Sequence, residues 1–470
     1  MTRSAREQLP HSAITRLQQA ISPDRLLTNP ADCWAYGYDN SRRHVCPQAV
    51  AFAGSTEEVA ALITACRELG LPIVGRGRGS GTAGAAVPVQ QGLVISLERM
   101  DRILEINPDD RLAVVEAGVT NGDLQRALGR EGFFWPPDPT SADYCSIGGN
   151  LACNAAGPRA VKYGTPRDNI LGLTAVTGSG EIIRTGVHTT KGVVGYDLTR
   201  LLVGSEGTLG IITQATLRIT PKPEGQRTLR AVYSDMTAAA SAVSRIMAQP
   251  VTPCILEFID GRAIEMIRDY ANVALPEQAG AMLMIEVDGD PEQLDHAEAA
   301  VSQAARGPGL SELRTATSEE ERKGLWAARK ALSPAQRKIA PKKINEDVVV
   351  PVSRMAELIS GLEGLSSQYG IIIVNFGHAG NGNIHVNLLV DPDDPKQMAV
   401  VDECLQKVFR LVLDLRGTLS GEHGIGYDKK AFVGLEIEPA TLALMKQIKK
   451  QFDPDGLMNP GKMFPDEGAS

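Results

Sequence analysis

Short runs of β-branched and other apolar residues alternate with amphipathic stretches along most of the chain. Between about residue 31 and residue 221, strands are predicted in AVAFA, LPIVGR, GLVISL, RLAVVEAGV, ILGLTAVT, EIIRTG and GIITQATLRIT. A helix is predicted in STEEVAALITACRELG, from a capping box at Ser55 and Glu58 to a stop at Gly70. Later strands are predicted in ILEFID, AMLMIEVD, DVVVPV, IIIVNF and IHVNLLV, between long helical patterns. The pattern therefore predicts an α+β protein.

The segment PKPEG, at residues 221–225, interrupts this pattern with prolines and a glycine. Such a stretch favours a boundary over a continuous element. The predicted division is 1–222, 223–430 and 431–470, and the last part is a helix followed by a tail that contains FDPDGLMNPGKMF.

A glycine-rich hairpin is predicted in HAGNGNIHVN, at residues 378–387. Asn381-Gly382 suits a two-residue type I′ turn, which would pair His378 directly with His385. Directly opposed residues have Cβ atoms roughly 4.5–5.5 Å apart on one face, so both imidazoles would reach the same ion. Asn387 would lie two residues along on that face.

A second segment, SGEHGIG at residues 420–426, adds Glu422 and His423 between glycines. A carboxylate and two imidazoles are ligands that suit zinc, manganese or iron(II). A single histidine beside a strand is commonly a hydrogen-bonded structural residue, but an opposed pair with a separate Glu-His favours a metal site. His423 is then left to act as a base.

Composition narrows the classes of partner. The 470 residues suffice for two or three domains, and the net charge of -8 disfavours nucleic acid. Seven cysteines without a CxxC pair indicate reduced thiols in a cytoplasmic setting, with peripheral attachment to the inner face of a membrane left open. The longest apolar runs are too short to span a bilayer, and MTRSAREQLP lacks the apolar stretch of a secretory signal.

The segment GSGTAG, at residues 79–84, matches the GxGxxG dinucleotide fingerprint. That fingerprint requires its last glycines to open a long helix, whereas AAVPVQQG and then the strand LVISL follow here. A nicotinamide Rossmann site is therefore rejected. GRGRGSGTAG still exposes successive backbone N–H groups, which can cradle a pyrophosphate, although a merely flexible loop is the alternative.

Three more segments share this glycine-rich character: PPDPTSADYCSIGGNLACNAAGPRAVKYGTPRDNI, GSEGTLGIIT and NPGK. In this order the segments resemble the flavin-binding domain of the vanillyl-alcohol-oxidase/p-cresol-methylhydroxylase (PCMH) superfamily. With HAGNGNIHVN and SGEHGIG, the chain resembles the branch that oxidises D-2-hydroxy acids, which includes D-lactate dehydrogenases, the glycolate oxidase flavin subunit and D-2-hydroxyglutarate dehydrogenases. The resemblance covers roughly residues 30–465 and implies a two-part PCMH-type FAD-binding domain, then an α+β cap domain with an antiparallel sheet.

The resemblance implies an FAD site in the first part and the tail. The residues expected there are Arg76, Gly77, Arg78, Gly79, Ser80, Gly81, Thr82, Pro137, Ser146, Gly149, Asn150, Asn154, Gly157, Gly164, Glu206, Gly210, Ile212 and Asn459. Some superfamily members attach the flavin to a histidine in the phosphate loop. RGRGSGTAG contains none, so FAD is expected to be non-covalent.

The resemblance also implies roles for the later motifs. His378, His385 and Glu422 match the family's metal ligands, with zinc or manganese expected ahead of iron, and His423 matches the catalytic base. The remaining matches are to substrate-binding positions: Arg329, Ser333 and Asn387. The implied reaction removes the 2-hydroxyl proton to His423 and the C2 hydride to the flavin.

The choice of substrate rests on one departure from the family pattern. Members that act on D-2-hydroxyglutarate have a lysine where this chain has Asn345, although Lys342 and Lys343 are near. D-lactate or glycolate is therefore expected, with D-2-hydroxyglutarate as the alternative. A quinone, a cytochrome or an electron-transfer flavoprotein would fit as electron acceptor, and a homodimer is one option for assembly. A metal-dependent hydrolase and a non-catalytic flavin-binding subunit are the alternatives from other classes.

Overall fold

A computed structural model describes residues 8–268 and 279–466, apart from the side chains of residues 328, 333, 334 and 337–339. The strands in these residues are β1 Leu26–Leu27, β2 Ala49–Phe52, β3 Ile73–Arg76, β4 Leu93–Ser96, β5 Ile103–Asn107, β6 Leu112–Glu116, β7 Phe133–Phe134, β8 Ile170–Thr177, β9 Ile182–Gly186, β10 Gly210–Arg218, β11 Thr220–Pro221, β12 Gly225–Tyr233, β13 Ile255–Asp260, β14 Ala281–Gly289, β15 Leu310–Thr315, β16 Lys342–Val349, β17 Ile372–His378 and β18 Asn383–Val390.

The α-helices in the same residues are α1 His11–Gln18, α2 Pro30–Cys33, α3 Thr56–Leu69, α4 Asn121–Arg130, α5 Ile147–Cys153, α6 Ala160–Tyr163, α7 Leu198–Leu202, α8 Met236–Ala248, α9 Gly261–Arg268, α10 Pro291–Ala305, α11 Glu319–Ile339, α12 Met355–Tyr369, α13 Pro395–Asp414, α14 Val433–Glu436 and α15 Pro439–Phe452. Short 3-10 turns occur at Pro23–Arg25, Trp34–Tyr36, Val352–Arg354, Ala379–Asn381 and Lys430–Phe432. None of the helices in the described part of the chain is long and apolar enough for a membrane span.

The chain forms two compact units. The first contains residues 1–157, 164–222 and 422–470, and the second contains residues 158–163 and 223–421. The last boundary between the units falls between Gly421 and Glu422. This boundary lies inside the segment SGEHGIG.

The first unit contains separate sheets. One has the order β1-β2-β4-β3, a second is antiparallel with the order β5-β6-β10-β8-β9, and β11 pairs with β7. Helix α3 packs on the first sheet, where Leu62, Ile63, Ile73, Leu93 and Ile95 are completely buried. Each such side chain contributes about 1.5–3 kcal/mol relative to exposure.

The second unit is built on a seven-stranded antiparallel sheet with the order β15-β12-β14-β13-β17-β18-β16. Apolar residues on one face of this sheet pack with α9 and α11: Ile259, Met284, Val374, Phe376 and Leu332 of α11 belong to one buried cluster. Because side chains alternate between faces, the residues two positions from Phe376 along β17 project to this same side.

The predicted fold class is confirmed: a mixed first unit precedes an α+β unit with an antiparallel sheet. The predicted start of α3 is also confirmed, since Ser55 Oγ accepts from Glu58 N at 3.2 Å and Gly70 ends the helix in the left-handed region. Residues 77–92, between the parallel strands β3 and β4, contain no helix, as the rejection of a Rossmann site requires. Strands β12 and β15 lie in segments where the hydrophobic pattern predicts no strand.

Candidate active site

The predicted phosphate loop follows β3 in the first unit. The Arg76 guanidinium is buried and Nη1 donates to Tyr38 O at 2.7 Å. Gly77 lies against the start of α5, so closely that a Cβ atom on it would be 2.1 Å from Ser146 Oγ. Thr82 Oγ1 is buried without a hydrogen-bond partner among the described residues. A buried hydroxyl in a side-chain-poor loop fits a phosphate-bearing ligand, because such groups are normally satisfied.

The next predicted cofactor residues surround α5. Ser146 caps this helix by accepting from Gly149 N at 3.3 Å, and Asn150 Nδ2 donates to Ala155 O at 3.0 Å. Asn154 ends the helix with a φ of 53°, and its Oδ1 accepts from Arg167 N at 3.0 Å. The amides thus shape the turns around α5.

The remaining cofactor candidates differ in their environment. Ile212 and Gly210 belong to β10, and the Ile212 side chain packs in the core of the five-stranded sheet. Asn459 Nδ2 donates to Ala85 O at 2.9 Å and to Glu206 O at 2.7 Å, so the tail returns to the first unit's glycine-rich segments.

The segment that carries His423 is held by carboxylates. Gly157 N donates to Glu422 Oε2 at 2.7 Å, and the Glu206 carboxylate accepts from Ile425 N and Gly426 N, also at 2.7 Å each. His423 lies between these attachment points and is half-buried. Its backbone is therefore fixed from both sides within the first unit.

The hairpin in the second unit corrects the predicted register. The 3-10 turn Ala379–Asn381 replaces the two-residue type I′ loop, and only Gly382, with a φ of 70°, adopts the left-handed conformation. His385 is therefore opposite Phe376, not opposite His378. The shift is by two residues, which leaves both histidines on the same face of the sheet. Their rings meet edge to face with centroids 5.2 Å apart.

Glu257 of β13 joins two of the predicted site residues. Its Oε1 lies 2.5 Å from His378 Nδ1, and its Oε2 accepts from Arg329 Nε at 2.7 Å. The Arg329 guanidinium also lies over the Phe376 ring, 4.6 Å from its centroid. Nδ1 of His378 is directed at a carboxylate, which is the orientation of the histidine ring in carboxylate–histidine–metal arrangements.

The charged neighbours of Glu257 explain how its carboxylate can be buried. The side chain is 1% exposed, and burial alone would raise its pKa. The neighbouring His378 and Arg329 outweigh burial and lower the pKa of Glu257 to about 2. The carboxylate is therefore ionised at all physiological pH values and holds the arginine and the histidine in a defined orientation.

Asp347 of β16 plays a comparable part beside the second histidine. It is fully buried, and its Oδ1 lies 3.7 Å from His385 Nδ1 and accepts from Asn383 Nδ2 at 2.6 Å. Its Oδ2 accepts from Gly421 N at 2.9 Å, which fixes the chain one residue before Glu422.

Asn387 follows His385 on the same face, as the sequence predicts. Its side chain is completely buried; Nδ2 donates to Val374 O and His385 O, at 3.1 and 3.0 Å. Its Oδ1 has no hydrogen-bond partner among the described residues, which marks a place for a polar ligand. Ser333, the other predicted substrate-binding residue of α11 besides Arg329, has a side chain outside the described residues.

The structure thus brings together His378, His385, Asn387 and Arg329 in the second unit, while Glu422 and His423 belong to the first. Glu257 and Asp347 were missed in the sequence. A signal existed for both, because Glu257 lies between apolar residues in ILEFID and Asp347 directly precedes the apolar run VVVPV. A buried charge in such a run usually has a specific partner.

Two family models match the chain. The model described as "FAD binding domain" matches residues 47–186, and the one described as "FAD linked oxidases, C-terminal domain" matches residues 222–463. The second match alone spans half of the 470 residues.

Named proteins match over nearly the full length. Glycolate oxidase subunit GlcD of Bacillus subtilis is 38% identical over 450 residues, which cover 96% of each chain. A D-lactate dehydrogenase of Archaeoglobus fulgidus is 36% identical over 92% of this chain and 96% of its own. The crystal structure of p-cresol methylhydroxylase with bound substrate shares the fold, with a TM-score of 0.80 and 17% identity over 97% of this chain and 96% of that one.

Proposed function

The chain belongs to the family of FAD-linked oxidases, and from this membership we propose that it oxidises a D-2-hydroxy acid to the 2-oxo acid, with D-lactate or glycolate as substrate. The names of its relatives support this class of substrate. The observation that carries the proposal is the buried cluster in which Glu257 orients both Arg329 and His378. An arginine and histidines fixed on one face of a sheet suit a small anion with an ionisable hydroxyl.

Arg329 would bind the substrate carboxylate. Glu257 takes the Nε hydrogen of its guanidinium, and the planar fork offers further N–H groups in a geometry that matches a carboxylate. The Phe376 ring beneath the guanidinium restricts its orientation further. Asn387 Oδ1 and the Ser333 hydroxyl complete the proposed substrate contacts.

His423 would accept the proton of the 2-hydroxyl. A positioned base contributes typically ~10²–10⁴-fold to the rate. The hydrogen bonds that hold Glu422, Ile425 and Gly426 keep the backbone around His423 in place, so that the imidazole need not be ordered at each turnover.

His378, His385 and Glu422 are the residues that would hold a divalent metal, zinc or manganese ahead of iron. The donor set of two imidazoles and a carboxylate fits such an ion, and the Glu257–His378 contact supplies the carboxylate partner that metal-binding histidines usually have. A bound ion would lower the pKa of the substrate hydroxyl. FAD, bound without a covalent link, would supply the acceptor for the C2 hydride.

The neutral side chains near Asn387 support a monocarboxylate. Asn345 is directly opposite Asn387 in the β16–β18 pair, so two uncharged amides meet where a distal carboxylate would need a cation. Lys343 lies two residues before Asn345, which keeps D-2-hydroxyglutarate as the alternative substrate.

We also propose an electron acceptor of the quinone, cytochrome or electron-transfer flavoprotein type, a cytoplasmic location and, as one option, a homodimer. All seven cysteines are free thiols in the structure, which supports a reducing compartment. Peripheral attachment to the inner face of a membrane is the alternative location.

The test is a visible spectrum of the purified protein, followed by anaerobic addition of D-lactate, glycolate and D-2-hydroxyglutarate in separate cuvettes. We expect flavin absorption that D-lactate or glycolate bleaches. If D-2-hydroxyglutarate alone bleached the flavin, it would be the substrate in place of D-lactate or glycolate. A flavin that none of the three acids reduces would overturn the proposed reaction.

A further inference from the structure

We propose that Glu206 is a positioning residue for His423: its carboxylate clamps the loop that carries the base, in addition to any contact with the cofactor. The inference rests on the proposed function, because it assigns His423 the role of base. Glu206 belongs to GSEGTLGIIT, which the sequence relates only to FAD binding.

The clamp consists of two hydrogen bonds from consecutive amides. Ile425 N donates to Oε1 and Gly426 N to Oε2, both at 2.7 Å, so each carboxylate oxygen fixes one peptide group. These amides follow His423 by two and three residues. Both oxygens of one side chain act as acceptors, so the pair restrains two consecutive peptides at a single point.

Glu206 is itself immobile, which a clamp requires. Its N–H donates to Ala152 O at 2.8 Å, and its carbonyl accepts from Asn459 Nδ2 at 2.7 Å. The residue is 6% exposed and has a φ of 52°, a conformation that a non-glycine residue keeps only where its surroundings impose it. The carboxylate is thus presented from a rigid backbone to the loop.

Other contacts hold the loop at neighbouring points, and two of them reach the carbonyl groups of these residues: Lys429 N donates to Ile425 O at 3.1 Å and Met463 N to Gly426 O at 3.0 Å. Gly157 N binds Glu422 on the near side of His423, and Tyr427 N donates to Ala83 O at 2.9 Å on the far side. Without Glu206, the peptides of Ile425 and Gly426 would lose their acceptors inside the protein. Only the bonds to their carbonyl groups would remain, so the segment 423–426 would be less restrained.

The electrostatic setting of Glu206 combines opposing effects. Burial raises the pKa of Glu206, whereas the amides of Ile425 and Gly426 and the Lys462 ammonium oppose that effect. Lys462 Nζ donates to Asn459 Oδ1 at 2.8 Å and to Val87 O at 2.6 Å, so the cation is held in this cluster.

The test compares Glu206→Gln and Glu206→Ala with the wild-type holoenzyme. The glutamine variant keeps the shape but leaves only one oxygen to accept from the two amides, and the alanine variant leaves none. Glu116→Gln is the matched control, because Glu116 is a buried glutamate of the same unit whose side chain binds Arg102 at 2.8 Å.

Three quantities are measured: FAD content, amide hydrogen exchange of peptides that cover 422–428, and the anaerobic rate of flavin reduction by whichever of D-lactate or glycolate reduces the wild type. We expect normal FAD content, faster exchange in these peptides, and a rate constant that falls about 10- to 100-fold with little change in half-saturation. Glu206→Gln should have a smaller effect than Glu206→Ala. Glu116→Gln should match the wild type in all three quantities.

Unchanged exchange in both Glu206 variants would overturn the clamp, and so would loss of FAD with unchanged exchange. Faster exchange with a wild-type rate of reduction would overturn the positioning role. A wild type that no hydroxy acid reduces would instead refute the proposed function, and the exchange data alone would then decide whether Glu206 holds the loop.

Discussion

The two units hold their candidate histidines by different physical means. In the second unit, His378 is on a strand and Glu257 binds it together with Arg329, a side-chain network of opposite charges. In the first unit, His423 is on a glycine-rich loop, and Glu206 binds backbone amides on its far side. Both glutamates are buried, yet the pKa of Glu257 is lowered to about 2 whereas that of Glu206 is raised.

This difference shows which neighbouring groups can offset the effect of burial on the pKa of a carboxyl group. Burial raises the pKa of both carboxylates, and a cationic side chain in direct contact reverses the effect for Glu257. Amide dipoles and a more distant lysine only reduce it for Glu206. The strand site is therefore expected to respond strongly to loss of a charge, and the loop site to loss of a hydrogen-bond acceptor.

The largest expected effect concerns the loop. His423→Ala should leave FAD and the proposed metal bound while the rate of flavin reduction by substrate falls about 10²–10⁴-fold, since only the proposed base is removed. Stopped-flow absorbance of the anaerobic reaction measures this rate. His188→Ala, at an exposed histidine of the same unit, is the control and should react like the wild type. Normal reduction of the His423 variant would remove that residue as the base.

The next effect concerns the strands. Glu257→Ala leaves Arg329 and His378 buried without their shared carboxylate, which should lower the free energy of unfolding by about 3–5 kcal/mol. Metal affinity should fall about 10- to 100-fold, because the partner of His378 is lost. Urea unfolding and metal analysis of the purified protein measure the two effects.

Glu312→Ala is the matched control for that change. Glu312 also binds an arginine, Arg230, in the same sheet, but its side chain is 34% exposed. Arg230 is buried but Glu312 is partly exposed, so water screens this pair more than it screens the Glu257 pair. The control should therefore be less destabilised than Glu257→Ala and keep the proposed metal. Equal destabilisation by both variants would show that burial does not distinguish the two pairs.

The strand part was more predictable from the sequence than the loop part. Runs rich in β-branched residues predict β17 and β18, and the two-residue period of a strand keeps His378 and His385 on one face. The predicted register is nevertheless wrong by two residues, because the Asn381-Gly382 pair does not reveal whether the turn contains two residues or more. A register error of two residues changes the residue that lies opposite each histidine, but it leaves both histidines on the same face of the sheet.

The contacts around the loop were not predictable. Glu206 and Gly426 are 220 positions apart, and Gly157 and Glu422 are 265 apart. No local pattern encodes which buried carboxylate meets which amide, since that depends on how the folded segments pack. The family resemblance supplied His423 as the base, but it did not reveal what holds His423 in place.

A third prediction uses pH to test whether the charge of Glu257 stabilises the fold. Because the folded-state pKa of Glu257 is below the ordinary value of 4.5, its ionised form stabilises the fold above that value, and the stabilisation is lost as pH falls from about 4.5 to about 2. The loss should amount to about 3 kcal/mol, from ~1.4 kcal/mol per pKa unit. Urea midpoints of the wild type and of Glu257→Gln should converge across this range. Parallel curves would show that Glu257 does not gain its stability from charge.

The smallest expected effect tests the hairpin tip that sets the register. Gly382 has a φ of 70°, and a Cβ atom there would lie 1.9 Å from Val350 O. Gly370, at the end of α12 in the same unit, has a φ of 63° and no atom within 4 Å of such a Cβ. Gly370→Ala therefore introduces only backbone strain, and Gly382→Ala adds a steric clash.

Gly382→Ala should accordingly be less stable than Gly370→Ala by about 1–3 kcal/mol in urea unfolding. It should also weaken metal binding, because the tip joins the strands that carry His378 and His385. If the two alanine variants were equally stable, Val350 would have moved away at little cost, and the turn would not be what fixes the register. Strand pairing alone would then hold both histidines. The hydrogen bonds between β16, β17 and β18 would fix their positions, whereas the His423 loop depends on the Glu206 carboxylate.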